Sequence, residues 1–164
     1  MFGAHQRRWW NLAGFGACVG LMAYALYAEH ALGLEPCPLC VFQRIAVIVL
    51  GVVFLVAALH DPGRIGARVY GGLQGVAALA GAGVAVQHLR VQATAGEQVA
   101  ACGPDLGTTM TAFPLHEALG MVFSGSGDCA EIDWSFLGLS MPGWVLVSAL
   151  ALGALGVAAN WLRS

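Results

Sequence analysis

Four long stretches almost free of charge constrain this chain more than any other feature. Residues 9–28 carry no charge over 20 positions, 69–89 none over 21 and 143–162 none over 20, while 41–59 carry only Arg44. A helix needs about 20 apolar residues to cross the hydrocarbon core of a bilayer. The pattern predicts an all-α membrane protein with four spans, at about 9–28, 41–59, 69–89 and 143–162, in a single domain over residues 1–164. The wider composition agrees, with 59% hydrophobic and 10% charged residues, where a soluble domain carries about 25% charged. Trp9, Trp10, Trp144 and Trp161 stand at the ends of these runs, where amphipathic rings favour the membrane interface. A basic start followed by an apolar run also describes a cleaved leader. The first run, however, exceeds a usual leader core and no small-x-small cleavage site follows it, so it is read as a retained span.

Arginine sets the expected orientation. The chain has no lysine, and Arg7, Arg8, Arg64, Arg68 and Arg163 fall on one side if the spans alternate. Cationic residues favour the cytoplasmic side, so both termini are expected there. Loops at about 29–40 and 90–142 then lie outside, with eight of the nine acidic residues; Asp61 is the exception. The net charge of −2 excludes a nucleic-acid binder, which needs a basic face. Gly16/Gly20, Gly71/Gly75 and Ala149/Gly153 are small-x-x-x-small pairs that let helices approach closely in lipid. Gln74 reads as an interhelical hydrogen bond within the third span. The segment 115–123 has the pattern of a short amphipathic helix lying on the membrane.

Chemistry concentrates in the cysteines. Cys18 sits mid-span and reads as a small hydrophobe. Cys37, Cys40, Cys102 and Cys129 divide two and two between the outer loops, in a compartment that permits disulfides. Covalent haem needs C-x-x-C-H, and Val41 follows Cys40. A zinc site could use four thiolates, but Cys102 and Cys129 are 27 positions apart without a second C-x-x-C. An inert bridge is a poor reading of Cys37 and Cys40, because so small a loop stabilises little; redox exchange is the usual employment of such a pair. Pro38 suits the first position of a helix, which makes Cys37 the expected N-cap and puts Cys40 in the first turn. The helix dipole stabilises a thiolate there. Arg44, four residues beyond Cys40, falls on the same helix face.

These residues also resemble a known family. The order Cys37-x-x-Cys40-x-x-x-Arg44, Gln87-His88, Ser126-Gly-Asp-Cys129-Ala-Glu131 and Trp134-Ser-Phe-Leu-Gly-Leu-Ser-Met-Pro142 is similar to that of the disulfide bond formation protein B (DsbB) family, over nearly the whole chain. The resemblance implies a four-helix bundle in the bacterial inner membrane with two periplasmic loops. It implies a quinone-dependent oxidoreductase that reoxidises a periplasmic DsbA-like dithiol protein. Electrons would pass from that partner through Cys102–Cys129 and Cys37–Cys40 to ubiquinone or menaquinone, with Cys102 facing the partner. Arg44 and His88 would bind the quinone. Pro38 within the pair and Gln43 before the arginine depart from the usual pattern. Two alternatives share the architecture: a reductase of the vitamin K epoxide reductase type, and a non-catalytic scaffold stapled by two disulfides.

Overall fold

The computed structural model describes residues 4–34, 36–94, 114, 129, 132 and 134–162. Cys102 and the segment 115–123 lie outside these residues. Helix α1 spans Ala4–Leu32, α2 Pro38–His60 and α3 Arg64–Thr94. A short antiparallel hairpin, β1 Ser135–Phe136 and β2 Leu139–Ser140, leads into α4, Met141–Val157, which continues as a π-helical turn over Ala158–Leu162. All four helices are long and apolar enough to cross a membrane. They also overrun the expected spans, because a helix continues past the hydrocarbon wherever its sequence allows.

The sequence punctuates these elements where local chemistry demands it. Pro38 occupies the first turn of α2, where its missing N–H costs nothing. Asp61 ends that helix in the left-handed conformation (φ 39°), ahead of Pro62 and Gly63. In the hairpin, Leu137 (φ 52°) and Gly138 (φ 80°) are both left-handed, as a two-residue turn between paired strands requires. Glycine takes that conformation freely, whereas Leu137 carries the cost of its side chain.

Successive helices run in opposite directions. Arg7 at the start of α1 pairs with Asp61 at the end of α2 (3.2 Å). At the other end, Ser140 before α4 donates to Gln92 near the end of α3 (2.8 Å). Cys18, Leu50, Phe54, Ala78 and Leu152 form the buried apolar centre, one or more from each helix. Close approach depends on glycine: a Cβ on Gly14 would meet the Phe54 ring at 2.6 Å, and one on Gly153 would meet Ala78 at 2.7 Å. Gly71 and Gly75 likewise face the end of α4, at Trp161 and Val157.

One of the three small-residue pairs does not pack. Gly16 and Gly20 meet nothing within 4 Å, and α1 uses Gly14 and Cys18 instead. At about 100° per residue, a shift of two positions turns a glycine from one helix face toward the other. Gln74 does bond between helices, and its partners are two asparagines. It donates to Asn11 (2.9 Å) and accepts from Asn160 (2.9 Å), while Asn11 donates to Asn160 (3.3 Å). Three amides from three helices thus satisfy one another in the interior, all at most 1% exposed. The outward faces, including Val52, Val76, Leu79 and Leu150, are apolar and open, as lipid requires.

Candidate functional site

The site begins with the cap of α2. Cys37 is the N-cap, in extended backbone (φ −66°, ψ 162°), and its sulfur accepts from the Cys40 amide at 3.4 Å. That amide is among the first-turn N–H groups with no partner inside the helix, so the helix start turns the two side chains toward each other. Their sulfurs lie 3.1 Å apart. Cys37 is buried, whereas Cys40 is half-buried and borders a cavity.

Cys129 reaches this place from the segment before the hairpin. It is fully buried and packs with Cys37 and Leu39, against Val84 and Val91 of α3. His88, from the same face of α3 as Val84 and Val91, stands between the two loops. Its Nε2 lies 3.8 Å from the Cys37 sulfur and 3.2 Å from the Cys129 carbonyl oxygen. The ligand atoms of Cys37, His88 and Cys129 all fall within 4.8 Å of one another. Gln43, one helical turn into α2 and 3% exposed, meets the other ring nitrogen, Nδ1, at 3.1 Å. A donating Gln43 amide leaves the proton on Nε2, pointing at the Cys129 carbonyl and the Cys37 sulfur.

Arg44 turns toward α1. Its guanidinium pairs with Glu29 and donates to the Ala25 carbonyl oxygen at 3.3 Å. An arginine at this depth is costly in lipid unless it is paired, and the last two turns of α1 supply both partners. Arg44 still borders the cavity, together with Cys40, Gln43 and His88. This cavity, about 340 Å³, is mostly apolar and lies between α1 and α4 under an aromatic cover. Tyr24 meets Trp134 edge-on (5.9 Å), Trp134 stacks on Phe136 (6.1 Å), and Phe136 leans on Trp144 (6.0 Å). The Trp144 indole N–H donates to the Phe136 carbonyl oxygen (3.0 Å), fixing the hairpin to α4.

Cys37, Cys40, Arg44, His88 and Cys129 therefore converge at one end of the bundle. Cys102 lies outside the described residues, and Cys18 sits apart in the apolar centre. The family resemblance made His88 a quinone-binding candidate; the structure puts it at the cavity wall and against the thiols. Glu29 and Gln43 were missed as partners. An acid 15 residues before an intramembrane arginine carries no periodic signal across a loop, and Gln43 stood out only as a departure from the family pattern, its histidine partner lying on another helix.

Residues 7–159 match the family model described as DsbB: Disulfide bond formation protein DsbB. Among similar proteins, the disulfide bond formation protein B of Chromobacterium violaceum is 52% identical over 141 residues, covering 84% of this chain and 85% of the relative. That of Saccharophagus degradans is 48% identical over 143 residues, covering 87% and 86%. That of Nitrosococcus oceani is 48% identical over 150 residues, covering 92% and 89%.

Proposed function

The chain belongs to the disulfide bond formation protein DsbB family, a multi-pass membrane disulfide-forming oxidoreductase, and from that premise we propose how its residues make a disulfide. Two cysteine pairs act in series, Cys102–Cys129 and then Cys37–Cys40. The electron donor is a periplasmic thioredoxin-like dithiol protein of the DsbA type, and the acceptor is the membrane quinone pool. The observation that carries this reading is the buried meeting of Cys37, His88 and Cys129 within 4.8 Å, with Cys40 beside them at a cavity wall.

A partner thiolate attacks Cys102, breaks the Cys102–Cys129 bond and releases Cys129 as a thiolate. Cys129 attacks Cys37, and Cys40 leaves as a thiolate facing the cavity. The second partner thiolate then attacks the mixed disulfide, which frees oxidised partner and the Cys102 thiolate. Cys102 attacks Cys129, restores the Cys102–Cys129 bond and releases Cys37. One electron pair has moved from partner to the Cys37–Cys40 pair, and two thiol protons have moved with it. His88 stands where its Nε2–H meets the departing Cys37 sulfur.

The residues around Cys40 fit a quinone. A cavity of about 340 Å³ lies within the roughly 300–1,000 Å³ usual for ligand sites. Its walls are mostly apolar, with Gln43, Arg44, His88, Gln92 and Ser148 as the polar exceptions, which suits a flat apolar ring with polar edges. Ubiquinone or menaquinone, when bound, supplies a two-electron, two-proton acceptor. Arg44, held by Glu29, would place positive charge at the cavity wall, where it would stabilise a quinone oxygen that gains electron density. The arginine bias supports cytoplasmic termini, so the cysteine cluster faces the periplasm from the bacterial inner membrane.

The test is quinone reduction with a reduced DsbA-like partner. Wild type turns over, whereas a Cys102→Ser/Cys129→Ser protein stops. Full turnover by that double variant would sink the relay. Family membership leaves no support for the vitamin K epoxide reductase-type and scaffold readings.

A further inference from the structure

We infer that in the reduced protein Cys37, Cys129 and His88 form a binding site for a thiophilic divalent cation, zinc or cadmium, which blocks disulfide exchange while bound. This goes beyond the relay and does not depend on the direction of electron flow. It needs only Cys37 and Cys129 as thiols in the observed arrangement.

The geometry is close to a metal chelate. Tetrahedral zinc, with bonds of about 2.3 Å to sulfur and about 2.0–2.1 Å to nitrogen, sets S···N at roughly 3.6 Å and S···S at roughly 3.8 Å. Cys37 Sγ and His88 Nε2 are 3.8 Å apart. The third ligand atom, Cys129 Sγ, lies within 4.8 Å of both, so about 1 Å of contraction completes the triangle. The ligands come from the α2 cap, the α3 face and the segment before the hairpin. None is more than 6% exposed.

The surroundings suit the ion. Two thiolates balance a divalent cation, so the site is neutral in an apolar setting of Leu39, Val84 and Val91. Metal-bound histidines are oriented through their other ring nitrogen, and Gln43 occupies that position at 3.1 Å. A side-chain amide offers either a donor or an acceptor. With its oxygen turned to Nδ1–H, the Nε2 lone pair faces the sulfurs. A water from the cavity can take the fourth position, which keeps two thiolates on the ion. Cys37 and His88 border the cavity, which gives an entry path. Sulfur donors select zinc or cadmium over magnesium and calcium.

Binding releases two thiol protons and changes no oxidation state. A disulfide at Cys37 or Cys129 removes a ligand, so the site exists only in the reduced protein. The cation in turn holds the sulfurs that must exchange. Unlike the four-cysteine arrangement against which the sequence argues, this set needs no Cys102.

The test is a cadmium titration of the full-length protein in detergent, reduced and freed of reductant. One equivalent should raise the thiolate-to-cadmium charge-transfer absorbance, and the oxidised protein should give none. Bound cadmium should protect Cys37 and Cys129 of the wild type from alkylation while Cys102 stays reactive. Cys102→Ser, which cannot turn over under the relay, should bind like wild type, so failure of the relay and failure of the site are separable. His88→Ala and Cys129→Ser should each weaken binding at least about tenfold, and Gln43→Leu about tenfold. Protection of Cys37 and Cys40 with Cys129 still labelled would mean a simple dithiol adduct and overturn the site. Absence of the absorbance in reduced wild type would overturn it too, as would unchanged affinity in both ligand variants.

Discussion

At the residue scale, Arg44 shows how a charge is kept near the apolar part of a membrane. It lies one turn beyond Cys40, borders the cavity and spends its donors on Glu29 and the Ala25 carbonyl oxygen. We expect Arg44→Ala to slow quinone reduction about 100-fold, the effect of losing one donor to a developing oxyanion. Arg44→Lys should recover only part, since an ammonium lacks the planar fork. Single-turnover exchange between reduced partner and the Cys102–Cys129 pair should stay near wild type in both. Equal slowing of the two steps would make Arg44 a structural residue. Glu29 acts through Arg44, which gives a second expectation. Glu29→Ala should cost less than Arg44→Ala, and adding it to Arg44→Ala should change nothing further. An additive double variant would show that Glu29 has work of its own.

At the element scale, the helices are held by faces, and the faces differ in tolerance. Gly14 lies against the Phe54 ring, and Gly16 meets nothing. Gly14→Leu should destabilise the bundle by about 1–3 kcal/mol through overpacking, whereas Gly16→Leu should be near neutral. Unfolding midpoints in a denaturing detergent series would read the difference, and equal effects would refute this face assignment. The amide ring of Asn11, Gln74 and Asn160 makes a separate expectation. Asn160→Leu strips Gln74 of a donor and Asn11 of a donor and an acceptor. A loss of about 1–2 kcal/mol is expected, toward the low end because hydrogen bonds in membranes average about 0.6 kcal/mol. Thiol exchange should be unaffected, since the ring lies far along the helices from the cysteines.

At the scale of the whole molecule, the bundle joins a buried exchange site to a cavity open between α1 and α4. In the proposed relay Cys129 is the sulfur that passes between pairs, and its burial against Cys37 is consistent with that task. A Cys129→Ser protein should therefore accumulate a covalent adduct with the dithiol partner through Cys102. Peptide mapping by mass spectrometry checks this, and an adduct on Cys37 or Cys40 would reverse the proposed order. Cys18→Ala should leave turnover nearly intact, because Cys18 packs among Phe15, Leu50 and Gly51 and meets no redox partner among the described residues.

Legible in the chain alone were the four membrane-length helices, their approximate ends, the capping of α2 by Cys37 and the shared helix face of Cys40 and Arg44. All of these are local. Span length follows from bilayer thickness, the cap from Pro38, and the shared face from helical pitch. The two-and-two division of the outer cysteines made Cys102 and Cys129 candidates, and the family resemblance added their pairing and a role for His88 without saying what His88 touches. It took the assembled bundle to show that His88 stands between Cys37 and Cys129, that Gln43 meets its other ring nitrogen, that Glu29 holds Arg44, and that Gly14 rather than Gly16 meets α2. Those contacts join helices and loops distant in the chain, where periodicity is silent. Their partners are chosen by how each helix is rotated about its axis, and that rotation follows from the fit of the whole bundle.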